Sequence, residues 1–395
     1  MKPSNAVNVH SFFNGIGDSI INIFVPVLIM MYLGDIFAVM WYILIRYGTS
    51  MIVIGLTHKI CAKYPILMLF VNMIPILLSP ILLSVLPFTF GLCVVLGILG
   101  GLVHGVYYVT MDNFQIRAHT KINIAKFDAF CNLGHFVFAI MSAFILGSAL
   151  DNSLVLTCIL AIIMYLCSII PLILAQKVLK KVEVKLPKQN KTPKTKYYTF
   201  TLLFVSFFGV GNFIYSMILP VYMYEIGASI ELVGITFGLV YLLDIAVDFL
   251  GRHLRLRNKH GLSLVTYGII FVLCMLAILI LPANNVMLII ISTLCSLSYL
   301  LCYICIIGEM MSNVKRDNCA INTLGKVNSL FSINRLVALA LFFIFPSYTT
   351  IWIFGIVCAV MSVVFGLMSI KNKKQEEQVI ESNSQETQQI EEKTA

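Results

Sequence analysis

The chain has 395 residues, of which 59% are hydrophobic and only 11% charged, and its mean hydropathy is +0.95. Soluble domains carry about 25% charged residues, so this composition excludes a soluble globular protein and predicts a polytopic membrane protein. A formal net charge of +9 would point to nucleic acid in a soluble chain, but here the basic residues fall between apolar runs, where they act as topology signals; no nucleic-acid partner is expected.

A span takes ~20 mostly apolar residues as helix, because backbone groups in lipid must be satisfied within the segment. Twelve segments qualify, near 11–33, 36–57, 65–86, 89–111, 124–149, 153–175, 198–224, 231–250, 261–281, 286–310, 322–346 and 350–370. The short alternating strands of an outer-membrane barrel are absent, so the predicted fold class is an all-α polytopic membrane protein. Only Lys2 precedes the first run and no small-residue cleavage site closes a short one, so that run is expected to remain as span one.

Span one opens with FFNGIGDSIINIFVP, residues 12–26. Gly15-x-Gly17 begins like a dinucleotide-binding turn, but Ile20 occupies the third glycine position and no strand precedes it. Span seven repeats the stretch as FFGVGNFIYSMILPV, 207–221: Phe13, Gly15, Gly17, Ile20, Pro26 and Val27 match Phe207, Gly209, Gly211, Ile214, Pro220 and Val221 at a constant offset, and Asp18 faces Asn212. The chain therefore reads as a duplication. The four glycines are expected to admit close helix neighbours. Pro26 and Pro220 are expected to kink the outer ends of the two spans. Asn14, Asn22 and Asn212 offer hydrogen bonds either to a solute or between helices.

Further along, Arg46 falls near the middle of span two, and Gly97-x-x-x-Gly101-x-x-x-Gly105 in span four places three glycines on one stripe, which predicts a packing seam beside His104. His135 in span five is either a hydrogen-bonded packing residue or a proton shuttle. Asp244 lies deep in span eight and Arg335 near the middle of span eleven. In span ten, Cys302-x-x-Cys305 has no second pair and no nearby histidines, so neither a metal site nor any cofactor is expected. The cysteines mostly lie inside apolar segments, and no structural disulfide is expected.

Basic residues set the topology. With a cytoplasmic N-terminus, the six outward connections contain no Lys or Arg, while Lys59 and Lys63, Arg117 and Lys121, and Arg252, Arg255, Arg257 and Lys259 all fall in inner loops. Eight lysines from Lys177 to Lys196 fill a central connection that divides the chain into a six-helix bundle at 1–175, a basic linker at 176–197 and a second six-helix bundle at 198–370. Residues 371–395 lose apolar periodicity and predict a disordered cytoplasmic tail. The protein is thus expected in the cell membrane with both termini on the cytoplasmic side.

Two six-helix halves with matching first spans and a long middle loop resemble the major facilitator superfamily. That superfamily's inner loops often read G-x-x-x-D-[RK]-x-G-[RK]-[RK]. The second copy survives in part as Asp248-Phe-Leu-Gly251-Arg252, with Asp244 at the leading glycine, whereas the first copy, from Gly55, lacks its aspartate. The helix-five proline motif of drug–proton antiporters is also missing from 131–150. The resemblance implies two pseudo-symmetric bundles rocking about a midplane site in a monomer.

Charges at membrane depth cost roughly 2.5–3.5 kcal/mol each on insertion scales and usually face a cavity or a partner. Asp18, Arg46, Asp244 and Arg335 are therefore candidates for solute binding or proton exchange, with Asn14, Asn22, Asn212 and His135 beside them; the alternative is a set of structural ion pairs. Asp112 with Arg117, Asp248 with Arg252, and Glu309 with Arg316 are candidate inner-gate pairs. No hydrolase, metalloprotease or P-loop motif is present, so the chain is not expected to be an enzyme. The leading expectation is a secondary-active transporter of a small polar or charged solute, coupled to protons. The alternatives are a lipid or amphipathic-peptide flippase of the same fold, or a non-transporting sensor or immunity protein.

Overall fold

A computed structural model describes residues 3–19, 23–118, 124–148, 152–183, 190–253, 260–316 and 319–394. Helices α1 (Pro3–Ser19) and α2 (Val25–Leu33) make the first span, followed by α3 (Ile36–Lys63), α4 (Pro65–Val85), α5 (Phe90–Ala118), α6 (Ile124–Gly147) and α7 (Ser153–Glu183). In the second half, α8 (Lys196–Phe213), a π-helical turn (Ile214–Ile218) and α9 (Leu219–Glu225) make the seventh span. It is followed by α10 (Ile230–His253), α11 (His260–Ile280), α12 (Asn285–Arg316), α13 (Ala320–Ile344) and α14 (Tyr348–Thr394). Among the described residues eleven helices are long and apolar enough to cross a membrane, and the divided first span brings the bundle to twelve. Lys59, Lys63, Lys191, Lys194 and Lys196 define a basic end among the described residues; Asp35, Glu225 and Glu231 lie at the other.

The first and seventh spans break at the same place in the repeat. Ile23 and Phe24 are π-helical ahead of Pro26, and the Ile214–Ile218 turn precedes Pro220. Proline lacks an N–H and its ring clashes with the carbonyl four residues back, so a helix that continues through it must widen locally. Here the Leu219 N–H donates to Ile214 O, five residues back. Met217 lies in this turn, and its sulfur meets the Arg46 guanidinium of α3 at 3.9 Å.

Small residues let the helices approach closely. A Cβ on Gly97, Gly101 or Gly105 would fall 2.9, 2.5 or 3.0 Å from the carbonyl oxygens of Tyr42, Arg46 and Ser50 respectively. Three glycines at four-residue spacing thus meet three carbonyls at the same spacing, and α3 and α5 run backbone to backbone. This seam fixes the depth of Arg46. A second close approach joins α1 to α6: Gly15 lies on Cys131 O, and Gly134 in turn on Phe12 O.

The two halves touch along two seams. On one, α6 packs on α10, with Gly234 against Ala143 and Gly238 against Ile140. On the other, α3 packs on α13, from Trp41 against Phe343 (5.0 Å) near the neutral end to His58 against Gly325 toward the basic end. The described linker residues join the second half, where Asn322 donates to Asn190 O at 2.9 Å and Thr192 meets Thr323 at 3.2 Å.

Beyond the span, α14 continues to Thr394 through the polar stretch at 371–394, where the composition alone predicts disorder. Glu, Gln and Lys are good helix formers, and propagation from an existing helix needs no new nucleus.

The α3–α5 seam makes a stability prediction. Gly101→Val should destabilise the bundle by about 1–3 kcal/mol, as overpacking does. Gly48→Val, at a site with nothing within 4 Å of the added Cβ, should leave the melting temperature of the purified protein almost unchanged. Equal melting temperatures for both variants would show that the backbones do not touch.

Candidate functional site

Asp18 is carried by α1, two turns beyond His10, and is 7% exposed. Its carboxylate lies 3.5 Å from Nε2 of His135 on α6. The close approaches of Gly15 to Cys131 O and of Gly134 to Phe12 O bring these helices near enough for the two side chains to meet. On its other nitrogen, Nδ1, His135 meets the Cys131 thiol at 3.6 Å. Its ring stacks on Tyr241 of α10 with centroids 4.8 Å apart and planes 21° apart. An acid and an imidazole from the first half are thereby held against the second half. One helical turn past Tyr241, buried Asp244 accepts a 2.8 Å hydrogen bond from Ser296 of α12.

The arginines occupy the other seam. Arg46 is 3% exposed and donates through Nη1 to Tyr42 Oη at 3.5 Å and to Met217 Sδ, across the bundle, at 3.9 Å. Arg335 is 4% exposed; its Nε donates to Gly209 O at 2.9 Å and its Nη2 to Asn212 Oδ1 at 3.2 Å. The guanidinium also lies over the rings of Tyr47, at 4.8 Å, and Phe331, at 5.7 Å. Cation–π contacts stabilise a desolvated guanidinium without neutralising it. Among the described residues Arg335 has no carboxylate partner.

Both clusters derive from the repeat. The Gly15–Cys131 contact is matched by Gly209–Phe331, the Phe12–Gly134 contact by the hydrogen bond from Asn334 to Ser206, and the Asp18–His135 pair by Asn212–Arg335. The equivalent pairing between the first and fifth spans of a half is acid with imidazole on one side and amide with guanidinium on the other. The relation can be found in the sequence by setting CNLGHF, 131–136, over FSINRL, 331–336.

Asp18, Arg46, Asp244, Arg335, Asn14, Asn212 and His135 all lie within the bundle interior; His135 meets the second half through Tyr241 and Arg335 meets the first through Tyr47, while Asp18 lies within electrostatic reach of Arg46. His104, hydrogen-bonded to Ser50 at 2.9 Å, lies within the first half between α3 and α5. Asn22 lies outside the described residues, as do the side chains of Asp112, Arg117, Asp248, Arg252, Glu309 and Arg316. Sequence reasoning alone did not single out Tyr47, Tyr241, Met217 or Ser296. Aromatic, thioether and hydroxyl side chains carry no insertion cost that would mark them out in an apolar span.

Comparison with known proteins agrees with this architecture. The sequence matches the model of the Major Facilitator Superfamily over residues 9–341. The fold is similar to a structure described as a bacterial homologue of the iron transporter ferroportin, outward-facing with soaked iron, at a TM-score of 0.65 and 12% identity, covering 94% of this chain and 100% of that one. At that identity the likeness concerns the fold. Among the described residues of this chain, no group of three or more His, Cys, Asp or Glu side chains is arranged to hold a metal ion. No curated protein matches the sequence. With twelve spans, a duplicated six-helix half and a family match across most of its length, this chain belongs to the major facilitator superfamily of membrane transporters.

Proposed function

We propose that the protein is a proton-coupled secondary transporter of a small solute carrying an anionic group, working by alternating access between its two halves. The observation that carries this reading is the placement of an acid–imidazole pair and a carboxylate-free guanidinium on the two seams that must part and re-form when the halves rock. Asp18 and His135 can share one proton, and His135 senses the second half through Tyr241. Protonation therefore alters the charge at a contact between the halves. Arg335, held by neutral acceptors and ring faces, retains a positive charge to pair with a solute anion; Arg46 adds a second positive charge at the same depth. The lysine-rich end is the cytoplasmic one, by the positive-inside rule.

A groove of about 500 Å³ between α11 and α12, lined by Cys274, Ala277, Met287 and Ile291 among others, gives the lipid-flippase reading some footing. It opens among residues such as Leu273 and Ile290, which are exposed on the bundle surface. None of the charged side chains described above lines it, so we assign it to contact with the bilayer.

Proteoliposomes with an imposed pH gradient, given a panel of carboxylates, phosphate esters and zwitterions, test the proposal. Asp18→Asn should abolish gradient-driven accumulation and leave solute counterflow at symmetric pH in place. Accumulation undiminished in Asp18→Asn would remove this acid from coupling. Arg335→Gln should impair both modes: a lost charge-assisted hydrogen bond costs about 1.5–3 kcal/mol, which is roughly a 10- to 150-fold loss of apparent affinity. An Arg335→Gln protein that takes up its solute with unchanged affinity would contradict anion recognition there. Orientation is checked separately: Ala283→Cys should react with a membrane-impermeant thiol reagent added outside intact cells, and Lys59→Cys should react only after the cells are opened.

A further inference from the structure

Between Asp18 and the basic end, the first half contains a group of buried polar atoms, of which only Asn14 belongs to the candidate site described above. His10 Nε2, Ser11 Oγ, Asn14 Oδ1, both amide atoms of Asn72, and the hydroxyls of Tyr107 and Tyr165 have no hydrogen-bond partner among the described residues. These side chains come from α1, α4, α5 and α7, and local contacts tie them together. The His10 ring lies 5.8 Å from that of Tyr107, and His10 Nδ1 bonds Ser168 O at 2.8 Å, one turn from Tyr165. Tyr165 packs on Gly17, the residue before Asp18. Asn72 stands one turn beyond Leu69, which packs in the same four-helix core with Ala6, Val7, Tyr107 and Leu172.

Buried polar groups are almost always hydrogen-bonded, so a cluster of orphans marks bound water or ligand. The chemistry of these atoms selects water. Because a carbonyl only accepts, His10 Nδ1 must carry the proton in its bond to Ser168 O, and in the neutral ring Nε2 is then an acceptor. Asn14 Oδ1 also accepts; the serine and tyrosine hydroxyls can donate or accept, and Asn72 presents one atom of each kind. A cation would select acceptors and an anion donors, whereas a neutral set of both kinds fits molecules that do both. The orientation is that of a path. His10, Asn14 and Asp18 recur every four residues on one face of α1, and His10 lies about 12 Å from Asp18 toward the basic end at 1.5 Å per residue.

We propose that the first half encloses a chain of bound water linking Asp18 to the basic end, separate from any opening between the halves. Where Asp18 acts as the coupling acid, as proposed above, this chain is its route for proton exchange with the cytoplasm. Other titratable groups near Asp18 are His135 of α6, Arg46 and Tyr42 of α3, Tyr108 of α5 and Tyr241 of α10.

Hydroxyl-radical footprinting by synchrotron X-rays, read by mass spectrometry on the unmodified protein, tests this without a known solute. Radicals formed from bound water oxidise the side chains that touch it. Tyr107 and Tyr165 should be oxidised on the order of tenfold faster than Tyr267, an equally buried tyrosine of the second half, because bound water is held where polar partners are otherwise lacking. In Asn14→Leu and Asn72→Leu the rate at Tyr165 should fall to that of Tyr267. Equal rates at all three tyrosines in the unmodified protein would overturn the proposal. So would oxidation of Tyr107 without Tyr165, since the water would then stop short of Asp18. A dry path would leave the transport test of Asp18→Asn unaffected, so failure here is distinguishable from failure of the coupling reading.

Discussion

A carboxylate and an imidazole 3.5 Å apart, buried at mid-depth in an otherwise apolar bundle, are the constraint around which much of this protein is organised. Such groups cost several kcal/mol to insert, and the surrounding structure offsets that cost through particular features. Gly15 against Cys131 O and Gly134 against Phe12 O let α1 and α6 approach closely where the pair forms. Tyr241 covers the imidazole face from the opposite half. Because that cover belongs to the other half, the environment of the pair depends on whether the α6–α10 seam is closed.

Duplication explains why the other seam carries a different charge. The same pairing of first and fifth spans recurs in the second half, where Asn212 and Arg335 stand at the positions that Asp18 and His135 hold in the first. The π turn ahead of Pro220 brings Met217 to Arg46, and the glycine seam of α5 sets the depth at which Arg46 meets it. In the proposed cycle, protonation at Asp18 and anion binding at Arg335 act through different contacts between the two halves, Tyr241 on His135 and Tyr47 on Arg335.

Much of this was legible in the sequence, because the strongest signals there are physical prohibitions. Lipid forbids open backbone, so the twelve spans could be located from apolar length alone; in the structure the helices mainly differ by running further at their basic ends. Lipid also penalises charge, so Asp18, Arg46, Asp244 and Arg335 stood out. What could not be read was partnership. Tyr47 and Tyr241 are unremarkable residues in apolar spans, and their roles depend on which helices the fold brings together. The cluster of orphaned hydroxyl and amide groups below Asp18 likewise arises from packing across α1, α4, α5 and α7. The helical course of 371–394 was missed because a composition too polar to form a core can still extend a helix already nucleated in the membrane.

The account turns on Asp18 exchanging a proton while buried beside His135. Infrared difference spectroscopy of the reconstituted protein through a pH step observes this directly, since a protonated carboxyl has a carbonyl stretch distinct from that of a carboxylate. The account predicts a titrating carboxyl band that vanishes in Asp18→Asn and shifts its midpoint in His135→Gln. A band unchanged in Asp18→Asn, or a spectrum with no titrating carboxyl in the folded protein, would contradict it.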